Sequence, residues 1–451
     1  MATEWPTLSA EEAWQPYSSS AAHPWNRQRA AHLLRRASGG CSPRQLTAAV
    51  AAGPRATVRQ LVTARPDESF EQTSRGLADA VLAGGEPRSL AAWWLYRMLH
   101  TTAPLQERLT LFWHGHFATS GAKVTDARLL YNQHELFRRH ALGRFADLAH
   151  GIARDPAMLL YLDSATNRRS HPNENFAREL LELFCLGLGH YTERDIQQLA
   201  RCFTGWEVRQ GNFRFNAYQH DRGEKEFLGR RGAFSGDEAV DVVLAQPAVA
   251  EFVVGKLVRE LVADEPELQA DYCRPLVARF QQSGLDLADL VTAILESRLL
   301  LEQPPAGRKV RSPVDFAVGW LRSVDGLTNL QTLASDLAQL GQSLFFPPNV
   351  KGWPGGRAWI NSAALVGRAN LLRRLVQEGQ ARFGGQSFDD WVARQGWRSP
   401  EETVEGLAEL WLAVPLTTGI RDALVALLAP GSGGAAGVAH ALSLLPEMHV
   451  A

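Results

Sequence analysis

Apolar positions along the chain recur mostly at the three-to-four spacing of amphipathic helices. Ala30, Leu33 and Leu34 begin such a stripe in residues 25–50, with a break predicted at Gly39 and Gly40. Residues 88–97 continue as a helix rich in Trp and Leu. Pro104 stands where a first-turn proline opens a helix. On the helix that follows, Leu105, Leu109, Phe112, Trp113 and His116 share one face, and Glu107, Thr110 and His114 the other. Further helices are predicted over 126–142 and, in pieces, over 145–162.

The stretch SATNRRSHPNE reads as a polar loop. It leads into a helix over 173–186 that Gly187 and Gly189 end. Thr192 caps the next helix, with Asp195 in a capping-box position. Residues 206–235 break the helical period, and Phe213 and Phe215 alternating with polar residues predict a short hairpin. Helices resume over 239–261 and 270–301. Residues 344–362 form a long Pro/Gly loop, and helices then run from 363 to the end with an interruption near Pro430. The whole reads as a mostly α, single multi-helix globular domain (27–451) with a β-hairpin insertion and long Pro/Gly loops, preceded by an arm (1–26).

Composition narrows the functional classes. Of 451 residues, 45% are hydrophobic and 21% charged, with a formal net charge of -1. That balance gives no sign of a nucleic-acid partner or an acidic membrane surface. No apolar run is long enough to span a bilayer, and no secretory signal is visible, so a cytoplasmic location is expected. Cys41, Cys185, Cys202 and Cys273 lack close spacing, which points to buried free thiols and not to a metal or disulfide framework.

Candidate chemistry sits on two helices. In 173–186, Asn175, Arg178, Glu179 and Glu182 form one polar stripe opposite Phe176, Leu180, Leu183 and Phe184. Periodicity alone favours a solvated face with an Arg178–Glu182 pair. Two carboxylates one turn apart could instead share a proton or bind a cation. His114 and His116 point about 200° apart on a helix, so they meet one ion only if the helix ends at Gly115. There is no HExxH, nucleophile elbow or Rossmann fingerprint. KGWPGG lacks Walker spacing, although Lys351 and Arg357 could bind an anion. His220, Asp221 and Lys225 fall in a flexible polar stretch.

Several blocks together, among them QERLTLFWHGHFATS, DPAMLLYLDSATN, HPNENFARELLELFCLGLGHYTERDIQQLARCFTGW and FFPPNVKGWPGGRAWI, resemble the bacterial domain-of-unknown-function 1800 family. The resemblance covers roughly residues 27–448. It implies a mostly helical fold with no assigned activity. The family's recurring polar positions match Glu107, Arg108, His114, His116, Asp163, Asn173, Glu174, Asn175, Arg178, Glu179, Glu182, Glu193, Asp195, His220, Asp221 and Lys225. Many relatives are exported, and a neighbour-encoded protein with a sulfatase-like fold is an implied partner.

Two functional readings follow. In the first the protein is an enzyme, hydrolytic by preference. Glu107, His114, Arg178, Glu179 and Glu182 form its catalytic group, and Asn175, His220, Asp221, Lys225 and Trp353 contact substrate. A divalent metal on Glu179, Glu182 and His114 is the cofactor option. In the second, the same polar residues are a structural network in a non-catalytic binding or assembly protein, with the loop around Trp353 as its recognition surface.

Overall fold

Helix starts follow the capping chemistry of the sequence. Asn26, Ser42, Asp67, Asp126, Asp155, Thr192, Ser235 and Ser312 each accept a backbone N–H from the first turn of their helix. The computed structural model describes residues 5–451, which hold twenty-four α-helices and three two-stranded antiparallel ladders. The predicted break at Gly39 and Gly40 separates helices Arg27–Ser38 and Pro43–Ala52.

The hairpin region holds two ladders: Trp206–Arg209 with Asn212–Phe215, and Lys225–Phe227 with Arg230–Gly232. A third, Gly326–Thr328 with Ala381–Phe383, joins distant segments, so no local pattern announces it. The expected C-terminal run of helices is accordingly interrupted well before Pro430. It breaks into Ser362–Val376, Phe388–Ala393, Pro400–Trp411, Thr418–Ala426 and Gly434–Ser443.

Two apolar clusters fill the interior. One surrounds Trp113, Phe117, Phe137, Phe145, Phe176 and Phe184 and extends through Val249–Leu301. The other surrounds Trp94, Trp320, Phe388 and Trp411 and takes in the C-terminal helices. The arm packs onto the first cluster: Trp14 and Tyr17 are buried, and Tyr17 N–H donates to Glu296 O at 2.7 Å.

Two expectations at the candidate helices change. The helix Pro104–His116 does not end at Gly115 and does not keep a wet face, because Glu107, Thr110 and His114 are all buried. Helices pack on both of its sides, which a two-faced reading of periodicity cannot register. The predicted helix 173–186 is an α-helix, Asn175–Glu179, followed by a π-helical segment, Leu180–Cys185. In the π turn Leu186 N–H reaches back five residues, to Leu181 O at 3.0 Å. The wider turn takes the side chains after Glu179 off the 100° stripe.

Candidate functional site

A cleft of about 400 Å³ opens where four segments meet. Its walls are the end of the Pro104 helix, the π segment at Leu183, the helix Pro247–Leu261, and the loop around Trp353. The loop is seated by a glycine. Gly352 has φ +76, and a Cβ there would lie 2.1 Å from the Gly115 carbonyl oxygen. Only glycine meets both demands. The Trp353 ring then lies over Gly115 and 5.5 Å from the His114 ring.

The floor is a lattice of charges. Arg108 bridges Asp315 at 2.8 Å and Glu260 at 2.9 Å. Lys309 Nζ bonds Asp264 at 3.0 Å and Glu260 at 3.3 Å. Asp264 also accepts Val310 N–H at 2.8 Å, and Ser312 Oγ donates to Asp315 at 3.0 Å. Burial alone would raise the Asp315 carboxyl, but Arg108 and Lys309 outweigh it and hold it below its usual range. Burial likewise opposes the Arg108 charge, and Asp315 and Glu260 more than restore it.

Three cations at the mouth remain. Lys256 and Lys351 have no carboxylate within ion-pair distance among the described residues, and Arg259 reaches only Asp264, at 3.9 Å. The Lys256 ammonium stands 5.1 Å from the Phe252 ring centroid. Its pKa is lowered by burial and then by Arg259. Among the lining residues, four cations (Lys256, Arg259, Lys309 and Lys351) face three carboxylates (Glu260, Asp264 and Asp315). The lining itself therefore carries an excess of one positive charge, with Glu179 next to it at the Lys351 edge.

Phe112, His116, Trp353 and Trp359 supply ring surface. His116 is held neutral, its pKa pushed down to about 3 by burial and by Lys256. Its Nε2–H donates to Phe184 O at 3.0 Å, a carbonyl of the π segment. That bond fixes the tautomer and leaves Nδ1 as an acceptor.

Of the residues singled out from sequence, His116, Lys351 and Trp353 line this cleft. Glu179 and Glu182 lie at its Lys351 edge: burial and then Glu182 raise the Glu179 carboxyl, while Lys351 lowers it. Glu182 is 3.5 Å from the Tyr191 hydroxyl. Arg178 faces outward, paired with Glu174 at 3.2 Å and with Glu193. Asn175 is exposed beside it, its N–H bonded to Asn173.

Glu107 is sealed, accepting from Arg97 Nε and Trp94 Nε1, each at 3.0 Å. His114 is 1% exposed and held neutral by burial, its pKa pushed down to about 3. Its Nε2 accepts Phe345 N–H at 3.2 Å. His220, Asp221 and Lys225 form a knot under the ladders. There His220 Nδ1 bonds Thr204 O at 2.9 Å, Arg201 pairs with Asp221 at 2.7 Å, and Lys225 Nζ donates to Asp221 O and to Phe234 O.

The metal set Glu179, Glu182 and His114 is not gathered: no three His, Cys, Asp or Glu side chains converge as a metal site among the described residues. His114 is turned into the aromatic core, with Trp94 and Phe345 rings 5.3 and 5.4 Å away.

Lys256, Arg259, Glu260, Asp264, Lys309 and Asp315 escaped the sequence reading. Lys256, Arg259 and Glu260 share the Pro247–Leu261 helix, but Lys309 and Asp315 come from a distant segment that only the tertiary fold brings to it. A Lys256–Glu260 spacing of four reads as an ordinary surface pair, whereas Glu260 turns inward to Arg108. The one usable sign was Lys351 in a glycine-rich loop that carries two tryptophans, Trp353 and Trp359.

The fold is mostly helical, and its cleft is walled by aromatic rings and lined by lysine and arginine side chains. The chain belongs to the family described as protein of unknown function (DUF1800), whose model matches residues 32–449. No curated protein and no solved structure matches it significantly. No helix among the described residues is long and apolar enough to cross a membrane.

Proposed function

We propose that this protein binds an anionic small molecule in the cleft between the Pro104 and Pro247 helices, with Lys256, Arg259 and Lys351 receiving the negative group and Trp353 and Phe112 contacting its body. The observation that carries this reading is the positive charge of Lys256 and Lys351 at the mouth, which no carboxylate among the described residues pairs. The carboxylates that would neutralise it are held by Arg108 and Lys309. A fixed cationic array inside a partly dry cleft attracts an anion more strongly than the same charges in water.

The test is calorimetric titration with phosphate, pyrophosphate, citrate and an aryl phosphate. At least one should bind saturably to the parent. Lys256→Ala and Lys351→Ala should each weaken it about ten-fold, the worth of one charge-assisted hydrogen bond. Binding unchanged in the double variant would overturn the reading.

A hydrolytic enzyme is the second reading, favoured by one observation: Glu179, raised by burial and by Glu182, lies near Lys351 at the cleft edge. A carboxyl so placed suits proton transfer to a ligand held by Lys351. Turnover of an anionic ester that Glu179→Gln abolishes without loss of affinity would select this reading. Association with a sulfatase-fold protein, and the compartment in which it would occur, are tested by co-purification from each cell fraction.

A further inference from the structure

Beside the cleft floor, behind Val310 and Ser312, lies a group of arginines that the cleft does not use. Arg36, Arg311 and Arg368 are at most 4% exposed. Each commits one nitrogen to a main-chain carbonyl. Arg36 Nη2 donates to Pro305 O at 2.8 Å, Arg311 Nη2 to Trp411 O, and Arg368 Nη2 to Arg311 O at 2.9 Å. Their other buried donors are unmatched: Nε and Nη1 of Arg36 and of Arg368, and Nε of Arg311, have no hydrogen-bond partner.

Charge is unmatched as well. Among the described residues no carboxylate lies within ion-pair distance of these three, and the nearby Asp315 is engaged by Arg108. Burial pushes Arg36 and Arg311 down to about 9 and Arg368 to about 10; neighbouring guanidiniums add to the fall at Arg36 and Arg311. His449 packs against the same group. Its ring stacks on Phe316 at 5.6 Å, Arg368 stands over Phe316 at 5.2 Å, and its Nδ1 is also unpartnered. Burial and the adjacent arginines keep it neutral, at about 4, so it can bond an anion's partners without adding charge.

Water could satisfy the loose N–H groups, but it would leave three buried positive charges uncompensated, which is costly. We infer that the donors of Arg36, Arg311 and Arg368 enclose a site for a small inorganic anion of the halide type, chloride in chemical kind, built into the interior and separate from the cleft. A spherical acceptor suits N–H groups that arrive from three different segments between apolar rings.

The experiment exchanges the full chain into gluconate buffer and adds sodium chloride with total ionic strength held constant. Melting temperature and equilibrium dialysis with radioactive chloride are read together. The expected result is about one chloride bound per chain and a saturable rise in melting temperature of at least about 2 °C, because a ligand that binds only the folded state stabilises it. Both effects should persist in the Lys256→Ala/Lys351→Ala variant and weaken about ten-fold or more in Arg368→Met.

If Arg368→Met fails to fold, the dialysis of the parent and of the cleft double variant still decides. No saturable chloride uptake by the parent overturns the inference. So does uptake that disappears in the cleft double variant, which would place the ion in the cleft.

Discussion

Replacing Glu107 separates a structural residue from a catalytic one. Its carboxylate holds Arg97 Nε and Trp94 Nε1, each at 3.0 Å, and Arg97 is itself 1% exposed. Glu107→Ala leaves a buried guanidinium without one of its two carboxylates. Removing a partner from a buried ion pair costs about 3–5 kcal/mol. Arg97 keeps Glu71 at 2.9 Å, which favours the lower figure, about 3 kcal/mol. The orphaned Trp94 N–H adds about 1 kcal/mol. Glu107→Gln keeps an acceptor oxygen and should lose about 1–3 kcal/mol. Urea denaturation followed by far-ultraviolet circular dichroism measures both. Anion binding in the cleft should stay within two-fold of the parent for whatever fraction is folded. An alanine variant within 1 kcal/mol of the parent would refute the argument, and one that folds normally but no longer binds or turns over a ligand would return Glu107 to the functional site.

Gly352→Ala combines a positive φ with a Cβ 2.1 Å from the Gly115 carbonyl. It should displace the Trp353 loop, seen as a red-shifted Trp emission and weaker ligand binding; unchanged emission and affinity would contradict the packing described. His114 and His116 at about 3 and His449 at about 4 are held neutral by burial, while the unfolded chain protonates them near 6.5. The unfolded state therefore binds more protons between these limits. Stability should fall as pH drops from about 6.5 towards 4, by up to about 1.4 kcal/mol per unit for each group; a flat urea midpoint over that range would exclude this. Asp155 acts with the opposite sign. Burial raises its carboxyl to about 7, so its folded form holds the proton longer and its contribution falls as pH rises from about 4 to 7. Asp155→Asn should gain on the parent by about 1.4 kcal/mol per pH unit across that window, and a pH-independent difference would rule it out.

The helical architecture was legible because it is local. Caps such as Asn26, Ser42 and Thr192, the break at Gly39 and Gly40, and the stripes around Leu33 and Leu109 all sit within a few residues of what they determine. The ladder pairing Gly326–Thr328 with Ala381–Phe383 depends on segments some fifty residues apart and has no such signature. Charge on a helix carries less information than apolar spacing. Glu107, His114 and Lys225 read as polar positions open to a ligand, yet each is buried and bonded to protein. The π segment was illegible for another reason: LLELFC is as suited to an α-helix, and the widened turn is set by what packs around it. The loop at Trp353 was recognised by its glycines and prolines, and the Pro104 and 173–186 helices by their polar positions, but the Pro247–Leu261 helix that supplies Lys256, Arg259 and Glu260 was not tied to them.

The distribution of carboxylates argues that the cleft is a site and not a seam. A seam joining the Pro104 and Pro247 helices needs only charge pairs that neutralise one another, and Arg108 with Glu260 and Asp315 already provides that. Lys309 adds a second tie between Glu260 and Asp264. With every floor carboxylate engaged by Arg108 or Lys309, Lys256 and Lys351 are left without an ion-pair partner among the described residues, and Arg259 acts against the Lys256 charge. Holding that arrangement costs stability, since like charges are kept close in a partly desolvated space. It also lowers the reorganisation needed on binding, because the floor that positions the cations is already fixed by four ionic contacts shorter than 3.5 Å between Arg108, Lys309 and their three carboxylates and by the Ser312 hydroxyl. The rigid lattice below and the uncompensated charge above are thus two halves of one device, and substitution of Glu260 by Gln should loosen the first while raising the net positive charge of the second.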